Sequence, residues 1–339
     1  MKNRQIIRIM PGVLAALFIA TIAKSMERFL PIPIVSASVI ALFVGILCNH
    51  FRKENDIFTE GVQFTSKRLL KFAIILLGAS LNMTTVLNCG KMSLSVMFFT
   101  LLTCFGGGYF IGKFLGLDWK LSNLISAGTG ICGGSAIAAI APVIEADDLD
   151  IAYSMSATFI FDMFMIIAFP LLGRYLGLSD IAYGLWTGTA VNDTSSVVAA
   201  GYAFSEAAGD FATTVKLTRT LVIIPTVFIF AFINKRSKRK QTLERNQAPL
   251  HVSSVFPWFI IGFLGMSILN SIGVIPIQVA TSFKSISKFL MVTALASIGL
   301  KTSAKDLKQA GYAPMLHGFI VSLLVIIVAL AVEYAMGLV

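Results

Sequence analysis

The chain has 339 residues, of which 56% are hydrophobic and only 13% are charged, and its mean hydropathy is +0.84. A soluble domain of this size needs about 25% charged residues to cover its surface, so the composition excludes a soluble globular protein. The net charge of +10 lies largely in short connections beside apolar runs, which excludes a nucleic-acid-binding surface. The composition predicts an all-α polytopic membrane protein.

Apolar runs long enough to cross a bilayer recur along the whole chain, with short connections between them. A spanning helix takes about 20 apolar residues, and this criterion predicts about eleven membrane segments. They cover residues 6–24, 32–49, 68–86, 92–115, 121–144, 149–174, 181–203, 211–233, 255–271, 282–300 and 312–336. The first run has the basic start of a signal peptide, but we interpret it as a retained span because the next run follows almost at once. Residues 1–339 are therefore one transmembrane domain.

The densest group of basic residues lies in the connection 234–254. Its members are Lys235, Arg236, Lys238, Arg239 and Lys240. Loops rich in Lys and Arg stay on the cytoplasmic side of a membrane. The loop 234–254 and the N-terminus are therefore predicted to be cytoplasmic.

Two lysine-led strings indicate an internal repeat. KFAIILLGAS (Lys71 to Ser80) and KFLMVTALAS (Lys288 to Ser297) share Lys-Phe and Ala-Ser at the same spacing. The predicted segments place the two strings in opposite directions, which is typical of the inverted repeats of secondary transporters. The repeats would cover about 30–175 and 181–337. Chance similarity between two apolar helices is the alternative.

Two Gly-Thr strings give a sharper signal. GTGICGGSAIAA (Gly128 to Ala139) aligns without gaps to GTAVNDTSSVVA (Gly188 to Ala199). Clusters of Gly, Ser and Thr weaken a helix, and a bilayer tolerates unwound backbone only inside protein or beside a cavity. We therefore predict two discontinuous helices, either broken spans or re-entrant hairpins, whose half-helix N-termini suit an anion. Close helix packing is the alternative role of such strings.

Four of the ionisable residues in predicted membrane segments lie in or near the two Gly-Thr strings and the deep sixth and eighth segments: Asp162, Asp193, Lys216 and Arg219. A charge near the middle of a bilayer costs at least about 2.5–3.5 kcal/mol on insertion scales, so each of them needs a partner or a function. A purely structural ion pair, such as Asp193 with Arg219, is one reading. In the other, the cations attract an anionic substrate while Asp193 or Asp162 carries a coupling ion.

The two Gly-Thr strings, extended to Ile144 and Gly201, and VKLTR (Val215 to Arg219) resemble one family across essentially the whole chain. This is the YeiH-type family of bacterial inner-membrane proteins, UPF0324, which is regarded as a group of sulfate exporters. The resemblance implies the cation:proton antiporter and anion transporter superfamily, with inverted repeats and discontinuous helices that cross at the midplane. It also implies a sulfur oxyanion, sulfate or sulfite, as the substrate. Some members have His at the position of Asn192. Because Asn does not titrate, the resemblance assigns no titrating role to Asn192.

The sequence thus predicts a secondary active anion transporter that works by alternating access, with a Na⁺/H⁺-type antiporter using Asp193 and Asp162 as the alternative. Neither an enzyme signature, a P-loop nor a metal-binding spacing occurs, so we expect no catalytic residues, no metal and no cofactor beyond a coupling Na⁺ or H⁺. The expected partners are the anion and the lipid bilayer, and a homo-oligomer is compatible with the sequence. The predicted substrate-binding residues are Thr129, Cys132, Gly133, Gly134, Ser135, Asn192, Thr194, Ser195, Ser196, Lys216 and Arg219.

Overall fold

The computed structural model describes residues 2–29, 37–50, 57–239, 258–301 and 311–339, and within these ranges every regular element is a helix. Six helical stretches of these residues are long and apolar enough to cross a membrane. They are Arg8–Glu27, Met83–Phe114, Leu149–Tyr175, Glu206–Asn234, Ile277–Lys301 and Tyr312–Ala335. The protein is an all-α polytopic membrane protein, as its composition predicts. Parts of the predicted segments and of the basic loop lie outside the described residues. They are 32–36, 240–254 and 255–257.

The helices are numbered in chain order. The first six are α1 (Lys2–Phe29), α2 (Ala37–His50), α3 (Thr59–Phe64), α4 (Leu70–Gly78), α5 (Met83–Leu102) and α6 (Gly108–Phe114). The next five are α7 (Trp119–Ala127), α8 (Gly134–Ile144), α9 (Asp148–Tyr175), α10 (Asp180–Ala190) and α11 (Thr194–Phe204). The last five are α12 (Glu206–Thr220), α13 (Ile223–Arg239), α14 (Trp258–Ser271), α15 (Ile277–Lys301) and α16 (Tyr312–Ala335). Single π-helical turns join α3 to α4 (Thr65–Leu69) and α5 to α6 (Thr103–Gly107), so each pair is one continuous helical stretch.

The predicted boundary near residue 86 is wrong. The third predicted segment, 68–86, ends at Gly78, and after a turn over 79–82 a new helical stretch runs from Met83 to Phe114. The Asn82 side chain explains the new start, because its Oδ1 accepts the Thr84 N–H at 2.9 Å. Asn is one of the residues that best satisfy the free N–H groups of a helix start.

The chain forms two compact units. Unit 1 comprises Met1–Cys89, Val198–Asp210 and Trp258–Asp306. Unit 2 comprises Gly90–Val197, Phe211–Pro257 and Leu307–Val339. The repeat boundaries predicted at about 30–175 and 181–337 remain a prediction.

In unit 1 small residues let helices approach closely. A Cβ atom on Gly12 of α1 would lie 2.7 Å from the carbonyl carbon of Gly61 in α3, and one on Gly45 of α2 would lie 3.0 Å from the Cα of Gly299 in α15. Such backbone proximity is the usual way in which membrane helices gain packing energy, because lipid supplies no hydrophobic driving force between them.

The two lysine-led strings both lie in unit 1. Lys71–Ser80 covers most of α4 and Lys288–Ser297 is part of α15. The helices touch, since the Ser287 hydroxyl donates to the carbonyl oxygen of Ala73 at 2.6 Å. The strings therefore belong to neighbouring helices, and the inverted repeat that they suggest remains a prediction.

Unit 2 carries the first Gly-Thr string, the second string up to Val197, and the residues Asp162, Asp193, Lys216 and Arg219. Its core includes an apolar cluster in which Leu124 of α7 packs with Ile140 of α8 and Phe230 of α13. Helix α10 is fixed to α16 by Trp186, whose indole N–H donates to the Ile326 carbonyl at 3.0 Å. These contacts hold the elements that form the candidate site.

Candidate functional site

The first Gly-Thr string interrupts a helix at Gly133. Helix α7 continues through a π-helical turn, Gly128–Cys132, Gly133 then has φ +63° and ψ −136°, and α8 begins at Gly134. A positive φ favours glycine because it has no Cβ atom. There is also no space for one, since a Cβ on Gly133 would lie 2.9 Å from both the Cβ and Oδ1 of Asp193. The predicted interruption is confirmed.

The second Gly-Thr string is interrupted at residues 191–193. Helix α10 ends at Ala190, Val191 is extended (φ −73°, ψ 139°), and α11 begins at Thr194. Asp, Asn and Ser side chains compete with helical hydrogen bonds and favour helix starts. The Asp193 Oδ2 does this by accepting the Ser195 N–H at 2.8 Å. This interruption is also confirmed.

The first interrupted segment folds into a helical hairpin. The Nζ of Lys120, at the start of α7, donates to the carbonyl oxygen of Glu145, just after the end of α8, at 2.7 Å. A straight helix of that length would rise about 37 Å at 1.5 Å per residue, far more than a lysine side chain can reach. The chain therefore reverses at Gly133, which places α7 and α8 side by side and their outer ends together.

The outer ends of the hairpin also meet the end of α13. The Asn234 side chain donates from Nδ2 to the carbonyl oxygen of Val143 at 2.8 Å. Asn234 immediately precedes the basic cluster that begins at Lys235. The hairpin and this end of α13 therefore share one face of unit 2. For the segment 181–203, the choice between a broken span and a hairpin remains open.

The two buried cations bind the C-terminal ends of the interrupted helices. Lys216 donates from Nζ to the Val191 carbonyl at 2.9 Å. Arg219 donates from Nε to the Gly130 carbonyl at 2.7 Å, from Nη2 to the Thr129 carbonyl at 2.8 Å and from Nη1 to the Val191 carbonyl at 3.3 Å. The last carbonyls of a helix are unpaired and carry partial negative charge. The cations supply the missing donors and the compensating charge at both breaks.

The two acids lie at the N-terminus of α11, which follows the second break. Asp162, in the middle of α9, accepts the Asn192 N–H on Oδ1 and the Asp193 N–H on Oδ2, each at 3.1 Å. Asp193 in turn accepts both the N–H and the hydroxyl of Ser195 on Oδ2. Helix N-termini carry partial positive charge, so carboxylates are stabilised there. Each acid thus lies at a start, and each base at an end, of an interrupted helix.

The predicted site residues divide into a buried set and an accessible set. Asp162, Asn192, Lys216 and Arg219 are buried, with exposures of at most 1%. The accessible group is Gly134, Ser135, Asp193, Thr194 and Ser195, of which Ser135 is the most exposed. The remaining predicted residues, Thr129, Cys132, Gly133 and Ser196, are buried. We call Gly134, Ser135, Asp193, Thr194 and Ser195 the accessible face of the site.

Two buried polar atoms beside the breaks lack a partner within the described part of the chain. They are the Thr129 hydroxyl oxygen and the Asn192 Oδ1. A buried polar atom without a hydrogen bond costs roughly 1–3 kcal/mol. Such atoms suit a bound ligand or water, and both belong to the predicted substrate-binding set.

The contacts at the site include groups that the sequence did not indicate. The acceptors for Lys216 and Arg219 are backbone carbonyls, including that of Val191, and no residue type identifies a carbonyl in advance. Cys104 was also missed, and its side chain lies against Gly130, where an added Cβ would be 3.2 Å from Sγ. Among the described residues there is no group of His, Cys, Asp and Glu that could hold a metal ion.

Comparison with known proteins identifies the family. Residues 11–318 match the family described as Conserved hypothetical protein 698. A UPF0324 membrane protein of Clostridium tetani is 52% identical over 96% of this chain and 97% of its own length. The chain belongs to the UPF0324 family. Further UPF0324 members from Streptococcus pyogenes serotype M18 and Streptococcus pneumoniae serotype 4 are each 38% identical, over 98% and 96% of this chain and 98% and 97% of their own lengths.

Membership in UPF0324 confirms the resemblance that the Gly-Thr strings indicate. The relatives are named as membrane proteins, in agreement with the six membrane-length helical stretches of the described residues. Because the match spans nearly the full length of these UPF0324 relatives, the interrupted helices and the charged residues beside them lie within the shared region.

Proposed function

We propose that this protein is a secondary active transporter of a small inorganic anion, which it moves by alternating access in the bacterial inner membrane. The substrate is a sulfur oxyanion, sulfate or sulfite, and the direction is outward, as the resemblance implies. The N-terminus and the loop 234–254 are on the cytoplasmic side. The protein carries out no covalent chemistry.

One observation supports this function most directly: two accessible N–H groups at the N-terminus of α8 have no acceptor among the described residues. Ala136 and Ile137 donate to the Gly133 carbonyl at 3.1 and 3.3 Å, whereas the N–H groups of Gly134 and Ser135 have no acceptor among the described residues. Gly134 is half-buried and Ser135 is exposed, so both N–H groups are accessible. Free N–H groups at a helix start, reinforced by the helix dipole, bind small anions.

The two helix breaks around this N-terminus favour a role in transport over a purely structural role. Unwound backbone at two places in a membrane protein is typical of secondary transporters, whose sites lie at discontinuous helices. The buried cations keep both interrupted ends stable by binding the carbonyls of Thr129, Gly130 and Val191. Lys216 and Arg219 therefore contribute positive charge near the site without having to touch the anion.

A charge substitution at Ser135 tests the anion site. In proteoliposomes loaded with radiolabelled sulfate or sulfite, we expect flux from the unmodified protein and a loss of at least about tenfold in Ser135→Asp, since roughly 1.4 kcal/mol of repulsion gives that factor. An Asp at a helix N-terminus stabilises the helix, so the variant should fold at least as well. Ser135→Asn is the matched control, because Asn has the size of Asp without its charge, and this variant should retain flux.

Two results contradict the proposal. One is equal flux in Ser135→Asp and Ser135→Asn, which would place the anion elsewhere. The other is a Na⁺-driven change in internal pH without any anion flux, which would support the Na⁺/H⁺-type antiporter with Asp193 and Asp162 as carriers. Arg219→Ala is a poor test by itself, because it also removes the hydrogen bonds to Thr129 and Gly130.

A further inference from the structure

The four ionisable residues at the interrupted helices form a formally neutral cluster. Asp162 and Asp193 supply two negative charges, and Lys216 and Arg219 supply two positive ones. An inorganic anion entering this cluster would leave one negative charge uncompensated in a membrane segment. Such an imbalance is costly in a bilayer. Neutrality is kept when one of the two carboxylates loses its charge as the anion binds.

Three of the four charged groups are fully buried as well as bonded to the backbone. Both oxygens of Asp162 accept N–H groups. Lys216 and Arg219 together donate four hydrogen bonds to carbonyl oxygens. All three side chains are at most 1% exposed. Removing any of these charges would weaken the hydrogen bonds to buried backbone groups, and a buried backbone group that loses its partner costs roughly 1–3 kcal/mol.

Asp193 is the remaining group, and it differs from the others in two ways. It keeps accessible surface, and its carboxylate lies where an anion would bind. Oδ2 accepts the N–H and hydroxyl of Ser195, at the start of α11. Oδ1 lies against Gly133, where a Cβ would be 2.9 Å away, at the start of α8. One carboxylate therefore lies at the positive ends of both half-helices.

We propose that the ionised Asp193 carboxylate repels the transported anion from its binding site, so that one proton and one singly charged oxyanion bind together. Protonation of Asp193 removes the negative charge that lies beside the N–H groups of Gly134, Ser135 and Ser195. The cluster then carries one net positive charge, which a monoanion restores to neutrality. Hydrogensulfite and nitrate have this charge, and the sulfate dianion does not.

The ionisable neighbours of Asp193 support this assignment. They are Asp162 in α9, Lys216 in α12, and the Cys132 thiol at the end of the π-helical turn. Asp162 repels a charged Asp193, whereas Lys216 attracts it. Every member of this group is buried except Asp193, so Asp193 is the one that exchanges a proton with an open pathway.

This inference rests on the proposed function, and calorimetry separates the two. Nitrate, a monoanion at every pH used, is titrated into the purified full-length protein at acidic, neutral and alkaline pH. Each titration is repeated in two buffers of different ionisation enthalpy, which reports proton uptake. We expect uptake of about one proton per nitrate and an affinity that falls by about tenfold per pH unit where Asp193 is ionised.

Two variants assign the proton. Asp193→Asn mimics the protonated acid, so it should bind nitrate with no proton uptake and an affinity that does not change with pH. Ser195→Ala keeps the carboxylate and removes one hydroxyl, so binding should weaken while the uptake of about one proton persists. If Asp193→Asn does not fold, the proton count of the unmodified protein still decides the question.

The outcomes are distinct. Binding of nitrate without proton uptake overturns the inference and leaves an anion transporter in place. Tighter binding of sulfate than of nitrate at neutral pH overturns the assignment of a singly charged substrate. No binding of nitrate, sulfite or sulfate at any pH overturns the proposed function itself.

Discussion

At the scale of single residues, Gly133 meets two requirements of the site, a positive φ and a close approach to a side chain. Gly133 adopts a positive φ and lies against the side chain of Asp193. The four glycines of the first string look equivalent in sequence, yet they differ in their neighbours. A Cβ on Gly134 would meet only the end of Met155, at 4.0 Å. Only the folded chain distinguishes the glycine that breaks the helix from the glycine that starts the next one.

Gly133→Ala should destabilise the protein. The variant combines a strained φ, which costs roughly 1–3 kcal/mol, with a clash against Asp193. We expect a clear fall in the thermal unfolding midpoint in detergent. Gly106→Ala is the control, because nothing lies within 4 Å of an added Cβ there and alanine favours a helix over glycine. Equal midpoints for the two variants would contradict the strained turn at Gly133.

At the scale of elements, the hairpin shows how a short contact can settle a topology. Periodicity cannot distinguish a broken span from a hairpin, because both have two apolar halves around a polar break. The hydrogen bond between Lys120 and the Glu145 carbonyl decides it. The reversal also explains why Leu124 and Ile140 share one apolar cluster.

Cysteine cross-linking tests the hairpin. In a background with Cys48→Ser, which removes the only exposed cysteine of the four, Lys120→Cys combined with Glu145→Cys should be joined by a short bifunctional thiol reagent. The pair Lys120→Cys with Ser135→Cys is the control, since those positions are separated by most of α7 and its π-helical turn, roughly 20 Å. Failure to cross-link Lys120→Cys with Glu145→Cys, both of which are accessible to the reagent, would mean that the segment does not fold back.

At the scale of the whole molecule, charge and helix length together predict the orientation in the membrane. The outer ends of the hairpin and Asn234 of α13 lie on one face of unit 2. The basic cluster that follows Asn234 predicts that this face is cytoplasmic. Helix α9 starts shortly after Glu145 and has 28 residues, a rise of about 42 Å, which predicts that Leu176 at its end lies on the opposite side of the bilayer.

Thiol labelling in cells tests this orientation. A membrane-impermeant reagent should modify Leu176→Cys in intact cells, because Leu176 is exposed at the far end of α9. It should modify Lys120→Cys only after the membrane is permeabilised. Labelling of both positions from outside would contradict the hairpin orientation, and the reverse pattern would place the basic loop outside.

The amino-acid sequence by itself determined the membrane class, the family, the two interruptions and the residues around them. These follow from composition and local chemistry, since apolar length, glycine clusters and intramembrane charges act wherever they occur. The partners of those charges were decided only by the tertiary structure. Lys216 and Arg219 bind backbone carbonyls, Asp162 binds backbone N–H groups, and Asp193 alone stays accessible. Backbone groups are identical at every residue, so only the fold selects which of them a charged side chain reaches.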